Sequence, residues 1–142
     1  MAVNITLPLP AGWASEVEIL NEEDTEITHY QAYLPDDRAQ KDKALIDIFV
    51  GVTPEGSSAE IEALNSYAEM FDDDDDDPLT VWPFMGKEAY GYEGLCDDES
   101  PMRFMCVETD PDLLAIITVA GCNDAMLDKA IALLDTKLSI KA

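Results

Sequence analysis

The stretch ALIDIFVGV at residues 44–52 constrains the fold more than any other part of the sequence. Every second residue is apolar, which is typical of a strand with one face in the core. Those residues are Ala44, Ile46, Ile48 and Val50. Leu45 and Phe49 make the opposite face largely apolar too. Because a strand that is apolar on both faces is buried on both, we expect layers above and below its sheet.

Alternating or β-branched segments elsewhere in the chain predict further strands. They lie at residues 3–7, 16–20, 26–34, 79–84, 86–95, 102–109 and 112–121. The turn Asp110-Pro111-Asp112 is expected to join the last two strands as a hairpin, since proline presets the backbone dihedral of a turn position. Most neighbouring strands are therefore predicted to be antiparallel.

Two segments show helical periodicity. Ser57 and Glu60 have the spacing of a capping box, which predicts a helix over 58–71. Its apolar stripe is expected to comprise Ile61, Leu64, Ala68 and Phe71. A second helix is predicted over 124–138, with Asn123 as its cap. Its stripe is Leu127, Ile131, Leu134 and Leu138.

These elements predict the fold class. Two helices and about seven strands in this order indicate an α+β domain with helices packed on an antiparallel sheet. A chain of 142 residues has the size of one domain, so we expect residues 1–142 to share a single core.

The charge excludes some classes of partner. The chain has 31 acidic and 8 basic residues, a formal net charge of −23, which repels nucleic acids and anionic membranes. No apolar run reaches the roughly 18 to 20 residues that a membrane span requires, so no membrane insertion is expected. The first residues, MAVNITLPLPAGW, lack the features of a signal peptide, which favours a cytoplasmic location.

Six consecutive aspartates, Asp72 to Asp77, raise the question of a metal site. A calcium loop of the EF-hand type needs alternate ligands, a glycine turn and a closing glutamate, and this run has none of that spacing. Six adjacent carboxylates repel one another and stay solvated, so we predict a flexible acidic loop at 72–78. Weak, unspecific cation binding is the alternative.

Few residues suggest catalysis. Cys96, Cys106 and Cys122 form no Cys-x-x-Cys pair, and free thiols fit a reducing compartment. His29 is the only histidine, so a histidine metal cluster is excluded. The sequence has neither a nucleophile elbow nor a glycine-rich phosphate loop. We therefore predict no enzyme, and no catalytic, cofactor-binding or metal-binding residues.

Four aromatic residues follow the acidic run closely: Trp82, Phe84, Tyr90 and Tyr92. Aromatic side chains often anchor protein interfaces, and here they would lie beside a strong negative charge. We predict these four as partner-binding candidates. The alternative is that they line the core at the ends of strands.

The order of elements resembles the PsbP-like fold family. The resemblance rests on the opening Leu9-Pro10-Ala11-Gly12-Trp13 and on the strand start Gly86-Lys87-Glu88-Ala89-Tyr90. It implies an α/β/α sandwich, with an antiparallel sheet of six or seven strands between two main helices. Members of this family generally bind other proteins.

The resemblance implies a bacterial protein-binding module, similar to the DcrB-domain adaptor chaperones of type VI secretion effectors. We expect its partner to be a protein that is basic or carries an apolar segment, and a homodimer is also possible. Two alternatives stay open: an acidic inhibitor or immunity protein that masks a basic site, and a carboxylate-dependent hydrolase. An apolar groove on one sheet face would favour the binding module. A pocket with converging carboxylates would favour the hydrolase, and a flat acidic patch would favour the inhibitor.

The acidic run provides a test of its own. Replacing Asp72 to Asp77 with Gly-Ser residues should leave the melting temperature unchanged or slightly raised, because the replacement removes repulsion between like charges. Thermal melting with and without calcium measures this. A clear loss of stability together with calcium-dependent melting of the parent would show that the run is a metal site.

Overall fold

The computed structural model describes residues 4–9, 13–22, 25–33, 44–53, 55–70, 79–84, 87–95, 100–110, 113–121 and 123–141. Within these ranges the chain forms nine strands and two helices. The strands are β1 Asn4–Thr6, β2 Ala14–Glu22, β3 Thr25–Tyr33, β4 Ala44–Val52, β5 Thr80–Phe84, β6 Lys87–Leu95, β7 Pro101–Asp110, β8 Leu113–Gly121 and β9 Ser139–Lys141. The helices are α1 Ala59–Met70 and α2 Asp124–Lys137.

Seven strands form one antiparallel sheet in the order β2-β3-β4-β8-β7-β6-β5, and β1 pairs separately with β9. Strands β4 and β8 join the two halves of the large sheet, in register from Ala44 opposite Gly121 to Val52 opposite Leu113. The predicted α+β class, the antiparallel sheet and the two helices are confirmed. The short strand β9 was not predicted, because three residues are too few to show a period.

One face of the sheet is covered by α2. The fully buried side chains beneath it come from β4, β7 and β8: Ile46, Ile48, Val50, Met105, Val107, Ile117 and Val119. The predicted cap is confirmed, since the Asn123 side chain accepts a hydrogen bond of 2.9 Å from the Met126 N–H. Gly121 allows α2 to start close to the sheet, because a Cβ there would lie 2.4 Å from the Leu127 nitrogen.

The opposite face carries α1, which packs on β6 and β7. The helix approaches closely through Ala59 and Ala63, which are buried against large side chains. Those side chains are Tyr92, Met102, Phe104, Cys106 and Leu114. Because α2 and α1 contact opposite faces, the sheet lies between two helical layers.

Two predictions about α1 are wrong. Ile61 and Leu64, which their spacing assigned to the apolar stripe of the helix, are 42% and 39% exposed. The alanines face the sheet instead, because only small side chains fit between the helix and the aromatic residues below it. The cap is Ser58, not Ser57, since the Ser58 hydroxyl accepts a hydrogen bond of 3.2 Å from the Ile61 N–H.

The second face of β4 is only partly covered. Leu45, Asp47 and Phe49 are half-buried, whereas the alternate residues are buried. The sequence predicted burial on both faces, but α1 lies over the β6–β7 half of the sheet. No helix or strand among the described residues therefore covers this face over β3 and β4.

Some expectations fall on residues that the structure does not describe. The acidic loop at 72–78 and Phe71 lie outside the described residues, as do Cys96 and Cys122. Among the described helices, neither has the length and apolar content that crossing a membrane requires.

The packing predicts which isoleucines stabilise the fold. Ile48 and Ile117 are fully buried and lie opposite each other in β4 and β8. Changing either to Ala should lower the free energy of unfolding by about 2 to 5 kcal/mol, through lost burial and a residual cavity. Ile19, which is 52% exposed, is the matched control, and its change to Ala should cost within about 0.5 kcal/mol.

Chemical denaturation measures all three variants. If Ile48→Ala and Ile117→Ala unfolded at the same denaturant concentration as Ile19→Ala, the centre of the core would be misplaced.

Candidate functional site

An apolar groove of about 280 Å³ lies on the face of the sheet that carries α1. Strands β3, β4 and β8 supply its apolar lining: Ile27, Phe49, Gly51, Val52, Leu114 and Ile116. The strand register places Phe49 opposite Ile116 and Gly51 opposite Leu114, so these residues share one face. The helix contributes Glu62 as the single charged residue of the lining.

The groove is open because little side-chain volume fills it. Gly51 has no side chain, and a Cβ there would lie 3.3 Å from the Ile27 Cγ1. Ile27, Phe49 and Ile116 are only half-buried. Contiguous apolar surface left open to water often marks a binding site.

His29 and Asp47 flank the groove. The His29 ring stacks on Phe49, with ring centroids 4.1 Å apart and planes inclined by 2°. Its Nε2 is hydrogen-bonded to the Asp47 carboxylate. None of the groove-lining residues carries a hydroxyl or thiol nucleophile. The hydrogen bond to Asp47 thus holds the His29 ring where it stacks on Phe49, a residue of the groove lining.

A second concavity, of about 480 Å³, lies at the start of α1. Three carboxylates surround the Tyr90 side chain there: Glu60, Glu88 and Glu108. Tyr90 donates a hydrogen bond of 3.0 Å to the Glu88 carboxylate. This bond and the negative charges of the three glutamates raise the pKa of Tyr90 above its ordinary value.

The carboxylates of this second concavity also serve the fold. Glu108 accepts a hydrogen bond of 3.3 Å from the Ala59 N–H, one of the backbone donors at the start of α1 that have no partner within the helix. A negative charge at this end also interacts favourably with the helix dipole. Glu108 thus has a structural role that needs no substrate.

The reactive groups that the structure describes outside these two concavities form no further site. Cys106 is buried, and desolvation raises the pKa of its thiol to about 12, so the reactive thiolate is suppressed at neutral pH. Among the residues that the structure describes, no group of His, Cys, Asp and Glu is arranged to hold a metal ion.

The structure places two of the four aromatic candidates in the core. Phe84 is 2% exposed in the cluster under α2. Tyr92 is 4% exposed under α1, where its hydroxyl lies 2.8 Å from the Ser66 hydroxyl and its ring stacks on Phe104. Each is surrounded by other side chains of the domain.

The other two candidates are half-buried and lie on opposite faces. Trp82 pairs with Ala89, whereas Tyr90 pairs with Cys106, and neighbouring residues of β6 point to different sides. The Arg103 guanidinium lies 4.2 Å from the centre of the Trp82 ring. The four aromatic residues therefore do not form one surface.

Sequence reasoning missed the groove, because its residues look like ordinary members of buried strands. One signal was present: on the second face of β4, Asp47 and Gly51 interrupt the apolar residues. A polar group and a missing side chain on one strand face indicate incomplete cover.

Comparisons with known proteins find no match to this chain among protein-family models, curated proteins or solved structures. The surfaces described above are therefore the basis on which a function can be assigned.

The difference in burial predicts that the aromatic residues contribute unequally to the stability of the fold. Phe84→Ala and Tyr92→Ala should each lower the free energy of unfolding by about 3 to 5 kcal/mol, as large buried aromatic residues do. Tyr90→Ala should cost about 1 kcal/mol or less, because its side chain ends in solvent. Chemical denaturation of the three variants measures this. A Tyr90→Ala variant that unfolded as readily as Tyr92→Ala would place Tyr90 in the core.

Proposed function

We propose that the protein is a non-enzymatic protein-binding module and that the apolar groove beside α1 is its binding surface. The observation that carries this proposal is the incomplete cover of the sheet: α2 closes one face, whereas α1 leaves apolar residues of β3, β4 and β8 open to water. Three apolar side chains of this groove, Ile27, Phe49 and Ile116, are only half-buried.

The shape and chemistry of the groove indicate what it binds. Its lining is almost entirely apolar, so a partner contributes apolar side chains, whose transfer from water drives association. A groove of about 280 Å³ takes a few side chains of a segment and not a whole domain face. The partner is therefore a protein with an exposed apolar segment.

The charge of the chain adds a second property to this partner. A net charge of −23 accelerates encounter with basic proteins and slows encounter with acidic ones. Apolar contacts then set the rate of dissociation. A segment with apolar side chains and flanking basic residues fits both properties.

The assignments of a fold family and of a bacterial cytoplasmic location are supported mainly by the sequence. The Leu9-Pro10 and Gly12-Trp13 opening and the order of elements support a PsbP-like α/β/α sandwich. This resemblance in turn supports an adaptor chaperone of a bacterial cytoplasm. The buried, unpaired thiol of Cys106 fits a reducing compartment.

A carboxylate-dependent hydrolase is the second candidate, and the concavity around Tyr90 is the observation that favours it. We rank it below the binding module because Glu108 accepts from the Ala59 N–H and Glu88 accepts from the Tyr90 hydroxyl. An inhibitor that masks a basic site uses the same overall charge and differs from the module only in its partner.

A charge placed in the groove tests the proposal. Ile116→Asp should keep the fold, since Ile116 is only half-buried, and should abolish binding of the neutral apolar dye Nile red, because the new carboxylate would have to lose water to contact the dye. Leu133→Asp is the matched control, because Leu133 is also half-buried and lies in α2, outside the groove lining. Fluorescence titration measures dye affinity, and circular dichroism checks the fold.

The same pair of variants identifies the partner. Immobilised parent and Leu133→Asp should retain a common set of proteins from cell extract that Ile116→Asp does not retain. If both variants bound dye and proteins like the parent, the groove would not be the binding surface. Turnover of an ester or glycoside that Glu88→Gln abolished would favour the hydrolase.

A further inference from the structure

The two edge strands of the large sheet differ in how well they are protected against pairing with an added strand. Edge strand β5 has five residues and contains Pro83, which cannot donate a backbone hydrogen bond to an added strand. Edge strand β2 has nine residues and contains neither proline, glycine nor lysine. Among the described strands β2 pairs with β3 alone, so its outer backbone groups face no other strand.

Side chains on β2 separate by chemistry onto the two faces of the sheet. Val17 and Ile19 lie on the face that carries α2, yet they are 59% and 52% exposed. Glu16 and Glu18 lie on the face that carries α1, opposite Gln31 and His29 of β3, and both are exposed. The edge thus presents an apolar pair on one side and an acidic pair on the other.

We propose that β2 binds an extended segment of a partner protein, which adds to the sheet as an eighth strand and carries alternating basic and apolar side chains. Backbone hydrogen bonds of an added strand supply affinity independently of sequence. Specificity comes from the side chains, because residues that face each other across strands interact. The basic residues of the segment lie beside Glu16 and Glu18, and its apolar residues beside Val17 and Ile19.

Charge disfavours a second copy of this chain as the occupant. Two β2 strands that pair antiparallel around Val17 place Glu16 of one copy opposite Glu18 of the other, twice in the same ladder. A shift of two residues, which is needed to keep the faces matched, sets Glu16 against Glu16 or Glu18 against Glu18. Like charges directly opposite each other destabilise a strand pair, so the acidic pair selects a basic strand and rejects its own copy.

This inference goes beyond the proposed function, since it concerns the sheet edge and not the groove. The lining of the groove contains no residue of β2. Binding at the groove and binding at the β2 edge can therefore be tested independently of each other.

Hydrogen exchange with a designed peptide tests the proposal. The probe is a blocked octapeptide of alternating Lys and Val, and the control peptide has the same composition with four Lys before four Val. The alternating peptide should bind and slow amide exchange in residues 14–22, whereas the control peptide should bind at least about tenfold more weakly. Equal binding of both peptides, or protection outside β2, would overturn strand addition.

Charge reversal on the edge tests the role of the acidic pair. The double variant Glu16→Lys/Glu18→Lys should lose affinity for the Lys-Val peptide by about tenfold or more and gain affinity for an alternating Glu-Val peptide. The matched control is Glu69→Lys/Asp128→Lys, which makes the same change of net charge at exposed positions of the two helices. If both double variants lost the same amount of affinity for the Lys-Val peptide, the overall charge would account for the loss. That result would overturn the proposal.

Two further outcomes are decisive. Ile116→Asp should leave binding of the Lys-Val peptide unchanged, and loss of binding would place the peptide in the groove. Protection of residues 14–22 that grew with protein concentration in the absence of peptide would identify a second copy as the occupant. Either result contradicts the basic, extended partner.

Discussion

The pairing of β4 with β8 is the interaction on which the rest of the structure depends. It joins one hairpin-connected half of the sheet to the other over nine residue pairs and places Ile48 against Ile117 at the centre of the core. Both strands are rich in apolar residues on both faces. Neither face can stay in water at low cost, so each requires a helix or a partner.

The two helices meet this requirement unequally. Helix α2 covers its face with long aliphatic side chains and starts directly against Gly121. Helix α1 approaches the sheet through Ala59 and Ala63 and packs on the aromatic side chains of β6 and β7. The β3–β4 half of that face is left with an apolar groove. Incomplete cover at this point links the packing of the domain to our proposal that it binds other proteins.

Much of the fold can be predicted from local sequence patterns, whereas the groove cannot. The alternation of 44–52 and the Asn123 cap are sufficient to predict strand β4 and helix α2. The rotation of α1 was not predictable from Ile61 and Leu64, because the helix has a second set of small residues and the choice between the two sets depends on Tyr92 and Phe104 across the sheet. The groove arises from that long-range choice.

Binding in the groove requires that the apolar side chains of β3, β4 and β8 that line it are open to solvent. Nuclear magnetic resonance of methyl groups with a soluble paramagnetic agent measures this directly, because relaxation increases with access of the agent. We predict clear enhancement for the methyl groups of Ile27 and Ile116, which line the groove, with little for Ile46 and Ile117 on the covered face. Equal protection of all four residues would contradict this prediction, since the groove would then be closed.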